Sequence, residues 1–323
     1  MNELSAAILE EKEVTDLEPR KAPESELNIS ETKITTTKAR ILRMMNTGPA
    51  ACIAFSGGGD SRVLLDLCKD MEPKPAVVWV DSQMEYPETR PYIEKTVQDL
   101  GFRLQIGRAE ESPFVRWKKT GWPMLGKLAA RLWMQKNRHA GFKINVSECC
   151  RHIKIIPGRA ATRALGCGIQ LTGQRGFSDD DLRGYRARAD RDMFYHKNDK
   201  IWIANPLDGW TDGEIKAYTK QEQIQEHPAK KRGATAIGCI YCGGGSQFTN
   251  SEYRKLRSLW PEAWYKFMVE WHAGLIILAL KYKTTFVEII EAVRIAGGLP
   301  FLAETRPWVF DFTRKKPLPG HAK

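Results

Sequence analysis

Cysteines are the residues in this chain best able to do chemistry, and four of the seven are grouped for it. Cys149 and Cys150 are adjacent, and Cys239 and Cys242 form a C-x-x-C. Four thiolates can hold zinc or a [4Fe–4S] cluster. Structural zinc sites typically draw on pairs separated by about two to four residues, which an adjacent pair does not supply. A disulfide between neighbours would be strained. The spacing alone leaves both zinc and a cluster open, although the adjacent pair fits zinc poorly. His152 is a conceivable further ligand but reads better as an exposed helix histidine. Cys52 and Cys68 fall on an apolar strand and a helix face, where cysteine serves as a small hydrophobe. Cys167, in a Gly-Cys-Gly turn, is either a packing residue or a reactive thiol, and packing is the favoured reading.

The second chemical segment is Ser56-Gly57-Gly58-Gly59-Asp60-Ser61. Its glycines let the backbone approach an anion, and the free amides of a following helix can bind phosphate oxygens. Ser56 and Ser61 add hydroxyls, and Asp60 can position Mg²⁺ or cap the helix. No Gly-Lys-Ser/Thr follows, so this is not a Walker A loop. A plain glycine turn is the bland alternative, and serines on both flanks count against it.

These residues need a scaffold, and the pattern predicts one. Residues 51–55 form an apolar strand running into the glycine turn, and a helix follows over 61–69. Strands over 76–80 and 103–106 flank a helix over 88–100. A helix over 151–165 precedes a strand over 168–172, and 201–204 is a last short strand. Thr211 caps a helix to about residue 221. Strands alternating with helices predict an α/β fold: a parallel twisted sheet with helices on both faces. Residues 33–46 form a helix leading into it, 113–148 a mostly helical insert, and 175–192 a charge-dense loop. Beyond residue 250 the pattern is helical, over 251–259, 261–281 and 284–296.

The expected organisation is an acidic flexible arm over 1–32, a nucleotide- and cluster-binding domain over 33–249, and a helical C-terminal region with a basic tail over 250–323. Of the 323 residues, 42% are hydrophobic and 28% charged, as in a soluble globular protein. Net charge is +11, but residues 1–32 carry −6, which leaves +17 on residues 33–323. Such a body suits an anionic partner, nucleotide or nucleic acid, or is simply a well-solvated surface. Residues 1–20 lack a signal-peptide core, and the longest apolar run, 275–280, is too short to span a bilayer. The expectation is a cytoplasmic protein that does not enter membranes, whose thiols are reduced.

The Ser56–Ser61 segment closely resembles the SGGxDS loop of PP-loop ATP pyrophosphatases and their relatives in the phosphoadenosine-phosphosulfate reductase family. Asp81-Ser82-Gln83-Met84-Glu85-Tyr86-Pro87-Glu88-Thr89 looks like the family's strand-end run beside the nucleotide. Thr172-Gly173-Gln174-Arg175 is similar to its T-G-x-R phosphate or sulfate loop. Asn205-Pro206-Leu207 with Trp210-Thr211 resembles its P-L-x-x-W-T helix start. These matches cover roughly residues 50–245. The resemblance implies a Rossmann-like PP-loop fold binding ATP or an adenylylsulfate-type nucleotide. It places Ser56, Gly57, Gly58, Gly59, Ser61, Asp81 and Gly173 around that nucleotide, with Asp60 and Arg175 in catalysis.

The cysteines also resemble the cluster-binding pattern of assimilatory adenylylsulfate reductases, in which a lysine links cluster and substrate site. Lys154 sits at the matching offset. Those reductases use a nucleophilic cysteine in a C-terminal E-C-G-like segment, and no cysteine follows Cys242 in this sequence. A cluster-bearing relative without it looks more like the ATP-pyrophosphatase component of DNA phosphorothioation systems. That resemblance implies adenylylation of a phosphodiester, then sulfur transfer from a persulfide donor such as a cysteine desulfurase. The basic body and Trp117, Trp122 and Trp133, interleaved with Lys118, Lys119, Lys127 and Arg131, would suit nucleic acid. Burial of those tryptophans in a core is an equally good reading. The alternatives are a sulfonucleotide reductase using Cys167 or an external thiol, and a non-catalytic nucleotide- and cluster-sensing protein.

Overall fold

The computed structural model describes residues 3–10, 28–124, 127–175, 192–242 and 250–310. Ser30 accepts a hydrogen bond from the Lys33 amide and so starts α2 (Glu31–Met45), which buries Ile34, Thr37, Ile41 and Met44 at helical spacing. Strand and helix then alternate: β1 (Ala51–Ala54), α3 (Gly59–Leu67), β2 (Ala76–Asp81), α4 (Thr89–Asp99) and β3 (Leu104–Arg108). After an insert come α8 (Ile156–Ala164), β4 (Ile169–Thr172), β5 (Met193–His196), β6 (Ile201–Ala204) and α9 (Asp212–Gln221).

The six strands form one sheet in the order β3-β2-β1-β4-β6-β5. All neighbours are parallel except β5 and β6. The expected strands are all present. The sequence pattern missed β5, because this antiparallel edge strand is half exposed and shows no buried apolar run. Strand order reverses between β1 and β4, and in such sheets the crevice beyond the strands' carboxyl ends at that point is where ligands bind.

Alternation along the strands divides the two faces. Ile53, Val77 and Trp79 face one core with α2, α3, α4 and α9, whereas Cys52 and Val78 face Ala161 of α8 and Cys167. Cys52 and Cys68 are fully buried, as packing cysteines would be.

A separate core joins the insert to the C-terminal helices. It takes Trp117 of α5 (Pro113–Thr120), Ala130 of α6 (Lys127–Lys136), Cys149 of α7 (Val146–Cys150), and residues from α11 (Asn250–Leu259) onward to Phe310. Every residue of α13 (Ala273–Tyr282) is buried, and the Lys281 ammonium donates to the Val309 carbonyl at 2.9 Å. The expected helix over 261–281 is interrupted. α12 (Pro261–Tyr265) passes into a π-helical turn (Lys266–Glu270), and the chain restarts at His272 with φ of 55°. Apolar content alone could not reveal that break. The helix expected over 151–165 likewise begins as a π-helical turn (Arg151–Ile155) continuing α7.

Part of the acidic arm expected over 1–32 lies among the described residues. Residues Glu3–Glu10 form α1, which buries Leu4 and Ile8 in the C-terminal core beside α14 (Phe286–Ile295). The tail over 313–323 and most of the charge-dense loop lie outside the described residues. Among the described residues no helix is long and apolar enough to cross a membrane.

α8 lies close on β3 because Gly107 has no side chain: a Cβ there would stand 2.7 Å from the Pro157 carbonyl oxygen. Gly107→Ala is expected to lower stability by about 1–3 kcal/mol, read from the midpoint of urea unfolding. An unchanged midpoint would show that α8 shifts without cost.

Candidate functional site

The phosphate loop lies at the carboxyl end of β1, beside the switch point. Gly57 adopts φ of 80°, open to glycine and strained for other residues. Gly58 is the N-cap of α3 and provides no side-chain cap. The first amides of α3 therefore stay available to an anion, reinforced by the helix dipole. Two hydroxyls hold the loop's shape. Ser61 Oγ donates to the Gly58 carbonyl at 3.0 Å, accepts from the Ser56 amide at 3.2 Å, and lies 3.1 Å from Ser56 Oγ.

β4 delivers the other wall. Thr172 donates to Asn205 Oδ1 at 2.6 Å, which fixes the strand end. Gly173 then passes so close to α3 that a Cβ would stand 2.7 Å from the Ser61 nitrogen. Arg175, with a side chain only 6% exposed, lies between two carboxylates: Asp60 at 3.1 Å and Asp212 of α9. It also donates to the Trp210 carbonyl at 3.3 Å. Burial works against the Arg175 charge, but Asp212 and Asp60 outweigh it and hold the guanidinium protonated. Asp212 escaped the sequence reading. Its only signal was its place directly after Thr211, whose reciprocal hydrogen bonds with Glu214 start α9.

The cysteines gather at the neighbouring strand end, beyond β2. Asp81 closes β2 and accepts from the Gln83 amide at 2.9 Å, with Arg108 at 3.8 Å and Arg90 at 3.9 Å. The Ile240 amide donates to the Met84 carbonyl at 2.7 Å, which ties the C-x-x-C segment to this turn. α7 brings Cys149, buried, and Cys150, exposed.

Burial pushes the Cys149 thiol up to about 12; Trp117 opposes the rise, while Cys239, Cys150 and Cys242 add to it. Burial also pushes Cys239 up to about 12, against Lys154 and with Glu85. The influence of Cys239, Cys150 and Cys242 on Cys149 shows that the two cysteine segments approach one another. Among the described residues, however, no three or more Cys, His, Asp or Glu side chains stand in a metal-holding arrangement.

One sulfur has a hydrogen-bond donor and another a hydroxyl neighbour. Trp117 Nε1 donates to Cys149 Sγ at 3.1 Å, and Ser82 Oγ lies 3.5 Å from Cys239 Sγ. Burial disfavours the Lys154 charge, but Cys239 and Glu85 outweigh it and its pKa is raised; its Nζ stands 3.7 Å from Glu85. Trp117 and Glu85 went unrecognised as cysteine partners, since neither carries a spacing signal linking it to a thiol.

The structure brings Asp60, Ser61, Gly173 and Arg175 together with Ser56, Gly57, Gly58 and Gly59 at the end of β1; Asp81 closes the neighbouring β2, and Lys154 lies beside Glu85 near the cysteine segments. Two readings with open alternatives resolve toward packing. Trp117 and Trp122 are buried and Trp133 half-buried, so the insert's tryptophans are core residues and not a stacking surface. Cys167 is buried before β4, at the end of the sheet opposite the phosphate loop. His152 is only partly exposed and lies 3.0 Å from Glu148.

The family model for the phosphoadenosine phosphosulfate reductase domain matches residues 50–244. The chain belongs to this family. It is similar to the phosphoadenosine 5'-phosphosulfate reductase of Alkalilimnicola ehrlichii, with 25% identity over 189 residues, 58% of this chain and 68% of that one. It is also similar to the adenosine 5'-phosphosulfate reductase of Mesorhizobium japonicum, at 28% over 191 residues, 58% of this chain and 63% of that one. A solved phosphoadenylyl-sulfate reductase from Candida auris, in a phosphate complex, aligns at 18% identity and a TM-score of 0.43, over 67% of this chain and 98% of that one.

Gly173→Ala must push β4 away from the first turn of α3. Inorganic pyrophosphate is expected to raise the melting temperature of the wild-type chain and leave that of this variant unchanged. Equal stabilisation of both would show that the close approach is not part of the anion site.

Proposed function

We propose that this chain is an ATP-dependent sulfur-transfer enzyme of the ATP-pyrophosphatase type acting on nucleic acid, most specifically in DNA phosphorothioation. The observation that carries it is Arg175, buried at the uncapped start of α3 and held between Asp60 and Asp212. A guanidinium fixed beside free helix amides can stabilise charge developing on a departing pyrophosphate. In this reading a phosphodiester oxygen attacks the α-phosphorus of ATP, and pyrophosphate leaves with the electron pair of the broken bond. Ser56, Gly57, Gly58, Gly59 and Ser61 seat the phosphates, and Gly173 and Asp81 bound the nucleotide. Asp60 would hold Mg²⁺, which would supply charge neutralisation at the phosphates.

Cys149, Cys150, Cys239 and Cys242 suit a [4Fe–4S] cluster. The donor set is all sulfur, and Trp117 and Ser82 are placed as hydrogen-bond donors or neighbours to two of the sulfurs. A cluster there would supply a reservoir of electrons or sulfide beside the nucleotide. Lys154, close to both Cys239 and Glu85, couples that centre to the nucleotide side. The nucleic-acid acceptor rests on the +17 carried by residues 33–323, not on the tryptophans. A cysteine desulfurase is the matching sulfur donor.

The names of the relatives favour a second reading, reduction of a sulfonucleotide to sulfite. Against it, Cys52, Cys68 and Cys167 are all buried away from the loop, so an external thiol would have to attack. Incubation with ATP and DNA, and separately with adenylylsulfate and thioredoxin, distinguishes the two. Pyrophosphate release supports the first; sulfite at catalytic rates overturns it. Neither product would leave a non-catalytic sensor of nucleotide and cluster.

Chain purified without oxygen is expected to be brown, with about four irons per molecule. Cys239→Ser should lose most of that iron. Stoichiometric zinc in place of iron would refute the cluster. Affinity for duplex DNA is expected to fall steeply with salt, as counterion release requires. A salt-independent affinity would remove nucleic acid as the acceptor.

A further inference from the structure

His227 carries a hydrogen-bond donor that nothing among the described residues satisfies. The residue is 3% exposed. Its Nδ1 accepts from the Ala229 amide at 3.1 Å, so in the neutral ring the proton sits on Nε2. Among the described residues, that buried Nε2 has no partner. The ring is fixed by Tyr92, whose centroid is 4.6 Å away, and by Pro228, which follows it at the start of α10 (Pro228–Arg232).

The edge of the ring bearing Nε2 faces the phosphate loop. A Cβ built on Gly57 would stand 3.3 Å from His227 Cδ2 and 3.7 Å from Nε2. Gly57 is therefore required twice, for its positive φ and for the approach of this imidazole. A buried N–H without an acceptor is costly, and sites that keep one commonly hold it for a ligand.

We propose that His227 is a phosphate-binding residue of the loop, donating its Nε2–H to the polyphosphate of the nucleotide seated over Gly57–Gly59. The inference rests on the phosphate-loop reading above and adds a donor from the segment after α9 to those of the loop and Arg175. Burial holds the His227 pKa down to about 4, against the pull of Glu88, so the ring offers one hydrogen bond and no charge near neutrality.

Two substitutions separate the ring's nitrogens. An asparagine amide reaches as far as Nδ1 and can keep the bond to Ala229; a glutamine amide reaches as far as Nε2 and can keep the donor. In calorimetric titrations of the full chain, His227→Asn is expected to weaken binding of both ATP and inorganic pyrophosphate about tenfold, with a melting temperature near wild type. His227→Gln should stay within about threefold of wild-type affinity, rescued by its retained donor, although its melting temperature falls. A purely structural role gives the opposite order, and wild-type affinity in His227→Asn overturns the proposal.

A measurement on the unaltered protein covers the case of poor folding. In chain carrying ¹⁵N-labelled histidine, the His227 Nε2 proton should move downfield on adding pyrophosphate, and an unmoved resonance overturns the proposal. A wild-type chain that binds neither ATP nor pyrophosphate overturns the phosphate-loop reading and this inference together. One that binds both while His227→Asn binds equally well overturns this inference alone.

Discussion

The first backbone amides of α3 point out of the sheet's carboxyl edge with no side chain to cap them. A helix start left this way favours an acceptor, and Arg175 places positive charge beside it. Gly58 forms the cap position without a capping oxygen, and Ser56 and Ser61 spend hydroxyls on shaping the loop. The nearest carboxylate, Asp60, is bound up with Arg175. Gly173 packs against the same turn, so closely that a Cβ would stand 2.7 Å from the Ser61 nitrogen. The parallel order of β1 and β4 is what brings these two loops together, so the site follows from the topology as much as from the residues.

The cysteine centre obeys a different constraint. Its ligand candidates come from two segments nearly ninety positions apart. They meet because α7 joins the insert to α8, and because the Ile240 amide pairs with Met84 at the end of β2. Cys149 and Tyr241 belong to the apolar core shared by the insert and the C-terminal helices. That core therefore holds both cysteine segments, and Trp117 of the insert packs beside Cys149. Tyr241 stacks on Phe267 with ring centroids 4.7 Å apart, and Trp117 packs edge-on against the same phenylalanine.

Sequence revealed most where one residue type answers one physical need. The glycine loop was legible because only glycines there permit close backbone approach, and the parallel strands because they are short buried apolar runs. β5 was not legible, since half-exposed Met-Phe-Tyr-His beside a charged stretch gives no periodic signal. Apolar content over 261–281 suggested a single helix because hydropathy says nothing about hydrogen-bond register, and the break at His272 is a matter of register. Partnerships across long separations were the least visible. Asp212 with Arg175, Trp117 with Cys149 and Glu85 with Lys154 each join elements whose contact only the folded chain defines.

α1 has a consequence for the way the chain is made. Leu4 and Ile8 are buried against a core contributed by the last helices, and Arg306 donates to the Leu9 carbonyl across 297 positions of sequence. On a ribosome adding about 5–20 residues per second, that partner appears roughly 15–60 s after α1. Throughout that interval α14 and Arg306, against which α1 docks, have not yet been made. Docking of α1 is thus a late event in biogenesis, and the nascent segment is exposed to chaperones and proteases until the final turns emerge.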